Sequence, residues 1–440
     1  MSAVVPVFNR ESTLLRCIKS IQENIGITEI LCINDGSTDR SLKILQKISL
    51  SDKRIKIISQ TNQGLSHARN IGIKNASSTY LMFVDADDFI TKDCASLLVD
   101  EINRNKNDLI IFNHTKNEGN IVDSNVIQIE SIDKSKILQC VVSFEILTSV
   151  CFIIVKKELF IKNNIIFPEG KTYEDASTLY KLVFYSNKPA KISNKFYHYL
   201  PCKGSITNTT NISIIDDIFE SICEIYDFLK FHNLSSLYHL VSGRVCALTN
   251  GRILHLGPYS SNKKNLDHLI RKIGDLDQKY SVAEETVISW FCFLVNHNKI
   301  EPSKLLQAKP FDSVVSPYIE HLAKHNYDLN KVLLSCFKYF INNSFLMWGE
   351  TSVSETISTQ AHLLGFKFKG YISGTFSPTK INNSTVIKED HLILKESLTI
   401  LVCSISSAYI IKEKFRRRTD YSPSQHQLLT FYQLLKLMVS

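Results

Sequence analysis

Four short apolar runs in the first 85 residues each stop at a polar turn, and this pattern restricts the fold more than any other feature. Val4 to Phe8 closes at Asn9, and Glu29 to Ile33 runs into Asn34-Asp-Gly-Ser-Thr-Asp39. Ile55 to Ser59 is the third run, and Tyr80 to Val84 delivers the chain into Asp85-Ala86-Asp87-Asp88. Between the runs, Leu14, Leu15, Ile18 and Ile21 recur at helical spacing over Glu11 to Glu23, Ser41 to Ile48 reads as a second helix, and a loop and helix fill Asn62 to Asn75. Strand and helix in alternation predict an α/β fold with a mainly parallel sheet covered on both faces. Such sheets gather ligands beyond the carboxyl ends of their strands. Pro6 to Asn9, Asp35 and Asp85 to Asp88 all fall at those ends.

The last of these turns carries three carboxylates within four residues. Left uncompensated, like charges so close raise one another's pKa. A divalent cation is the usual compensation, and hard Asp oxygens suit Mg2+ or Mn2+, ions that in turn carry a diphosphate. The other reading is a solvated acidic turn ahead of a helix starting near Thr91.

Bulk properties narrow the field. A chain of 440 residues is long for one core, so two or three domains are expected. No apolar run approaches the roughly 18–20 residues that span a bilayer. Met1 to Asn9 has neither a basic n-region nor an apolar h-region, which predicts a cytoplasmic protein. Eleven cysteines, none in Cys-x-x-Cys spacing, read as reduced thiols in a core. The net charge of +8 suits anionic partners such as sugar nucleotides or a membrane surface. The basic run Lys412 to Arg418 reads as a solvated helix end, with peripheral membrane contact the other reading. Nothing resembles a nucleic-acid module, so no nucleic-acid partner is expected.

Several ordered blocks carry a family resemblance. Ala3-Val-Val-Pro-Val-Phe-Asn9, Glu29 to Asp39, Asn62-Gln-Gly-Leu-Ser-His-Ala-Arg-Asn-Ile-Gly72, Val84-Asp-Ala-Asp-Asp88 and Phe167-Pro-Glu-Gly followed by Tyr173-Glu-Asp175 stand in the family's order. Residues 3–205 thus resemble the family 2 glycosyltransferases, with the GT-A nucleotide-diphospho-sugar transferase fold. The resemblance implies transfer of a sugar, with inversion, from a nucleotide-diphosphate donor (UDP by default) to a hydroxyl of a glycan or lipid-linked acceptor in bacterial surface polysaccharide assembly. It implies Mn2+ or Mg2+, with Asp87 as the best ligand and Asp85 contacting the ribose or sharing the metal, Asp88 standing behind them. Asp35 is similar to the residue that hydrogen-bonds the base, with Pro6, Val7, Phe8 and Asn9 beside it. Glu11, Arg69 and Ala86 are counted with the donor contacts, Arg69 being equally readable as a structural ion-pair partner. Asp175 is the implied general base, with Glu174 its orienter, and N-capping of the helix that follows is the competing reading. Lys203 or Ser205 would touch the diphosphate. His198 would complete the metal shell, or else pack between Tyr197 and Tyr199. A non-catalytic sugar-nucleotide-binding scaffold and a nucleotidyltransferase are the competing function classes.

After about Ser213 the alternation stops. Ile215, Ile218, Phe219, Ile222, Ile225 and Leu229 mark one face of a helix, and helical patterns recur over Tyr238 to Leu256, Ser281 to His297 and Lys331 to Ile341. The pattern divides the chain into a transferase domain at 1–212, a helical domain at 213–340 and an α/β domain at 341–440. Acceptor recognition, homo-oligomer formation and membrane docking are all compatible with the helical part, and Trp290, Phe291 and Phe293 read as its core. The last domain resembles small Rossmann-like units, with strands at Ser344 to Gly349, Phe366 to Ser373 and Leu398 to Ser404. Its loop Trp348-Gly-Glu-Thr-Ser-Val-Ser354 keeps only the first glycine of Gly-x-Gly-x-x-Gly, which favours a structural or partner-binding module over a dinucleotide site.

Overall fold

β1 (Ser2–Val7) and β2 (Glu29–Asp35) are buried along their whole length, as strands covered on both faces must be. In this computed structural model the described residues are 1–116, 126–200, 213–241, 259–282, 284–296, 300–308 and 310–327, together with strands between 344 and 430. The chain divides into two compact units, Met1–Ile225 and Tyr226–Ser440.

In the first unit β3 (Ile55–Gln60) pairs parallel with β2, β2 with β1, and β1 with β4 (Tyr80–Phe83). Beyond β4 the sheet changes character. β7 (Ile153–Lys156) is antiparallel to β4, β6 (Leu109–Thr115) is antiparallel to β7, β8 (Pro189–His198) is parallel to β6, and the short β5 (Phe89–Ile90) closes the edge antiparallel to β8. The sheet order is therefore β3-β2-β1-β4-β7-β6-β8-β5. It is a mixed sheet in which only one half has the parallel pattern expected from the alternation. Beyond β4 the pairs β4–β7, β7–β6 and β8–β5 are antiparallel, and β6–β8 alone is parallel, joined by the long crossover that parallel pairing needs.

The helices follow their apolar stripes. α1 (Leu14–Gln22) buries Leu14, Cys17, Ile18 and Ile21, while Leu15 points outward. α2 (Ser41–Ser49) packs on β2 and β3, and α3 (Leu65–Asn75) packs on β1 and β2. α4 (Cys94–Asn105) begins after Asp93, so the acidic turn at 85–88 is separated from it by β5.

Gly72 brings α3 against β1. A Cβ there would stand 2.2 Å from Val4 Cγ1, and Val4 is wholly buried with a stiff branched side chain. Overpacking of about 1–3 kcal/mol outweighs the ~1 kcal/mol that alanine gains over glycine in a helix. Gly72→Ala is therefore expected to lower the chemical-denaturation midpoint, and Val4→Ala in the same chain should restore most of it.

α5 (Lys134–Val142), α6 (Lys157–Lys162) and α7 (Leu179–Tyr185) complete the first unit. α8 (Ser213–Phe231) crosses the division at Ile225 and buries Ile215, Ile218, Phe219, Ile222, Ile225 and Leu229, the face read from its spacing. In the second unit, Leu266, Leu269, Ile273 and Leu276 are buried on the helix Tyr259–Tyr280. The helix Glu284–Asn296 buries Trp290 and Phe291. The part of the Tyr238 to Leu256 pattern beyond residue 241 and the Lys331 to Ile341 pattern lie outside the described residues, as does the basic run at 412–418.

The last part forms a six-stranded sheet of β9 (Ser344–Trp348), β10 (Phe368–Ser373), β11 (Lys380–Ile381), β12 (Ser384–Lys388), β13 (Leu398–Val402) and β14 (His426–Thr430), in the order β11-β12-β10-β9-β13-β14. Its pairs are parallel except β11 with β12. The five parallel strands run third-second-first-fourth-fifth, which matches the Rossmann order 3-2-1-4-5-6 without its sixth strand. The loop after Trp348 lies outside the described residues.

Candidate active site

One buried arginine gathers the candidate residues. Arg69, 1% exposed, projects from α3; its Nη1 donates to Glu174 Oε1 at 2.5 Å and Asp175 Oδ1 at 2.9 Å, and its Nη2 to Asp85 Oδ1 at 3.0 Å. The guanidinium lies over the Phe167 ring, 5.5 Å from its centroid, and its Nε has no hydrogen-bond partner. Burial opposes the charge on Arg69, but the three carboxylates outweigh it and hold the guanidinium firmly protonated. Three acids on one cation leave a surplus of negative charge. Asp175 bears the consequence: burial raises its carboxyl pKa well above the usual range, the charges of Glu174 and Asp85 add to the rise, and Arg69 opposes it.

The neighbouring helix residue fixes the segment that carries the acids. Asn70 Nδ2 donates to the Phe167 carbonyl at 2.9 Å, and Asn70 Oδ1 accepts from the Phe167 amide at 2.9 Å. Tyr173 adopts a left-handed backbone (φ 62°) just before Glu174 and Asp175, a conformation that costs about 1–3 kcal/mol for a bulky residue. Thr178, not Asp175, is the N-cap of α7. The Asp175 side chain therefore faces Arg69 and is not spent on capping.

Around Asp85 the turn is tied to β8. The Asp85 amide donates to Tyr197 Oη at 3.1 Å, and that hydroxyl donates to Asp88 Oδ2 at 2.8 Å. The Leu200 amide donates to Asp88 Oδ1 at 2.9 Å. Burial pushes the Asp88 carboxyl up to about 7 against these donors. Ala86 is buried between the acids. Asp85 is the more open of the pair flanking it, its side chain 30% exposed against 18% for Asp87. Asp87 Oδ2 stands 3.5 Å from Arg10 Nε. Burial raises its pKa first, Asp85 adds to the rise, and Arg10 lowers it. Arg16 Nη2 donates to the Asp87 carbonyl at 2.9 Å while lying over Phe89. Sequence reasoning missed Arg10 and Arg16; Arg10 adjoins the Asn9 turn and was available by position, whereas Arg16 carried no signal.

On the donor side, Pro6 and Val7 end β1, and Phe8 is 43% exposed. Asn9 (φ 50°) uses Oδ1 to accept from the Thr38 amide at 2.8 Å. Glu11 accepts from the Arg40 amide at 2.9 Å. Asp35 lies inside β2, buried: Oδ1 accepts from Gln60 Nε2 and the Gln63 amide, and Oδ2 from the Gly64 amide at 2.8 Å. These contacts hold together the turns at the sheet edge. Lys203 and Ser205 lie outside the described residues.

For a divalent ion, the available donors are the hard carboxylate oxygens of Asp85 and Asp87, the chemistry that Mn2+ or Mg2+ prefers. Asp85 meets Arg69 through Oδ1, and Asp87 is only loosely paired. His198 is placed differently from the expected shell. It is buried, its ring stacks on Phe89 at 4.1 Å, and Nε2 lies 3.2 Å from Thr91 Oγ1. Among the described residues no group of three His, Cys, Asp or Glu side chains is gathered closely enough to hold a metal. The two aspartates fit an ion that takes its remaining ligands from a diphosphate and water.

Residues 2–162 match the family model described as glycosyl transferase family 2. The N-terminal unit is a family 2 glycosyltransferase domain. The chain is 28% identical over 234 residues to the glycosyltransferase GlyG of Streptococcus pneumoniae, covering 50% of this chain and 77% of GlyG. It is 26% identical over 323 residues to the teichoic acid poly(glycerol phosphate) polymerase of Staphylococcus epidermidis, covering 70% of this chain and 42% of that protein. Among solved structures, S. aureus TarS residues 1–349 in complex with UDP-GlcNAc superposes with a TM-score of 0.54 at 19% identity, covering 70% of this chain and 91% of that one. That likeness concerns the fold. The glycosyltransferase domain thus has relatives among enzymes of polysaccharide and teichoic acid synthesis. Among the described residues no helix is long and apolar enough to cross a membrane.

Proposed function

We propose that the glycosyltransferase domain transfers a sugar from a UDP-sugar to a hydroxyl of a glycan or lipid-linked acceptor during assembly of a bacterial surface polymer, with inversion at the anomeric carbon. The observation that carries this reading is Arg69, which joins the donor-side Asp85 to the acid pair Glu174 and Asp175 at a single guanidinium. Donor and base are thereby held at fixed spacing, which is what a direct displacement requires.

An acceptor hydroxyl ionises far above neutrality and needs a base to take its proton as the new bond forms. The Asp175 carboxylate takes that proton. Its raised affinity for protons suits a base working near neutral pH, and Glu174 and Arg69 orient it. One displacement on the face opposite the diphosphate inverts the anomeric centre. Asp35, Phe8 and Asn9 flank the nucleotide, and Asp85 meets the ribose or the metal. Bound Mn2+ or Mg2+ on Asp87 and Asp85 would neutralise the charge that develops on the leaving diphosphate.

The test is calorimetric binding and slow donor hydrolysis across a panel of nucleotide sugars with Mn2+, Mg2+ or EDTA. The wild type should bind and hydrolyse one donor only with metal, and Asp87→Ala should lose both. Failure to bind any donor under any condition would instead favour a non-catalytic scaffold. The TarS fold with its bound UDP-GlcNAc supports starting the panel with UDP-sugars.

A further inference from the structure

Arg10 lies between the two turns to which the proposed function gives the donor. Its backbone is fixed, because its amide donates to Ser41 Oγ at 2.9 Å. Its guanidinium is not fixed in the same way. Nη1 donates to the adjacent Asn9 carbonyl at 3.3 Å, and Nε stands 3.5 Å from Asp87 Oδ2, beyond a good hydrogen bond. The side chain is 29% exposed. The other arginines at this edge are engaged more closely. Arg69 is buried on three carboxylates, Arg16 bonds the Asp87 carbonyl over Phe89, and Arg40 pairs with Glu11 at 3.2 Å.

Asp87 is also the aspartate on which the metal reading chiefly rests. A divalent ion there would meet the positive charge of Arg10 within a few ångströms, and the two compete. Once displaced, the guanidinium is still tethered beside Asp87, where the diphosphate of a metal-bound donor has to lie. Its planar fork of donors matches phosphate oxygens.

We infer that Arg10 exchanges partners: it pairs with Asp87 in the empty site and with the nucleotide diphosphate in the loaded one. The inference rests on the proposed function and adds a residue to it. In the empty site the arginine keeps the acidic turn from self-repulsion; in the loaded site it shares the diphosphate charge with the ion that replaced it.

The two halves of the exchange predict shifts of opposite sign, measured by calorimetry on the full chain with Mn2+ alone and with UDP or GDP in saturating Mn2+. Arg10→Gln should bind Mn2+ alone roughly fivefold more tightly, since its competitor is gone. The same variant should bind the nucleoside diphosphate at least about tenfold more weakly, the loss expected for a charge-assisted contact to phosphate. Arg10→Lys, which keeps the charge without the fork, should stay near wild type for Mn2+ alone and lose part of the nucleotide affinity. Weakening of both affinities in Arg10→Gln would overturn the exchange, since it would mean that Arg10 only holds the turn in shape. Unchanged nucleotide affinity beside normal wild-type binding would overturn the exchange alone. Absence of UDP and GDP binding by the wild type would overturn the proposed function and this inference with it.

Discussion

Asp175→Asn should lower kcat/KM for sugar transfer by about 10²- to 10⁴-fold, the range that general-base catalysis contributes. The replacement is isosteric, and its amide oxygen can still accept from Arg69 Nη1, so the guanidinium need not move. Donor binding should therefore remain close to wild type, and the loss should fall on kcat. Near-normal transfer by this variant would remove Asp175 from the role of base. The wild-type pH profile provides a second check. Burial, reinforced by Glu174 and Asp85 and opposed by Arg69, raises the Asp175 carboxyl pKa. A base must be deprotonated to act, so kcat/KM should climb with pH along a limb centred well above the usual carboxylate range. A limb near the ordinary aspartate value would contradict the electrostatics of the cluster.

Arg69→Ala is expected to cost about 3–5 kcal/mol of stability, the penalty for leaving buried charge without its partner. The arginine is almost wholly buried, so solvent offers little relief. Deleting it strips the cation from Asp85, Glu174 and Asp175 together. The pH dependence of the deficit has a definite sign. A carboxyl whose folded pKa is raised above its unfolded value contributes stability that is fully present below the unfolded pKa and is lost as the pH rises through the folded one. Asp175 is already raised in the wild type, and removing Arg69 takes away the largest influence that lowers it. Below about pH 8 Asp175 is protonated in both folded proteins, so the gap between variant and wild type should be flat there and widen as the pH rises above about 8, read from denaturant midpoints at each pH. A gap independent of pH would point to lost packing against Phe167.

The half of the sheet that holds the donor turns could be read from the chain because each strand there is a single apolar run ended by a polar turn. β1, β2, β3 and β4 all appear within a few residues of their expected positions. The other half could not. β7, β6 and β8 are also apolar, but the direction in which they pair depends on contacts across long sequence separations, about which local periodicity is silent. The sequence offers Asp85, Arg69 and the pair Glu174 and Asp175 as candidates; their convergence on one guanidinium depends on the packing of α3, which only tertiary structure reveals. Asp88 belongs to the same acidic run, but Tyr197 and Leu200 claim both of its oxygens. His198 shows the converse problem: its residue type suited a metal, while its strand register with Phe89 turned it toward Thr91. Arg10 is legible by position beside the Asn9 turn, but its pairing with Asp87 is not, because nothing in the order of residues says which strand-end turn will lie beside which.

Three positions on one stretch of α3 serve as a gauge for the rest of the unit. Arg69 reaches Asp85 and the acid pair, Asn70 grips both backbone groups of Phe167, and Gly72 seats the helix against Val4. All of these contacts lie within Met1–Ile225. The spacing between the donor turn and the acid pair is thus carried by one helix of eleven residues, and the same helix has no room for a methyl group where it meets β1.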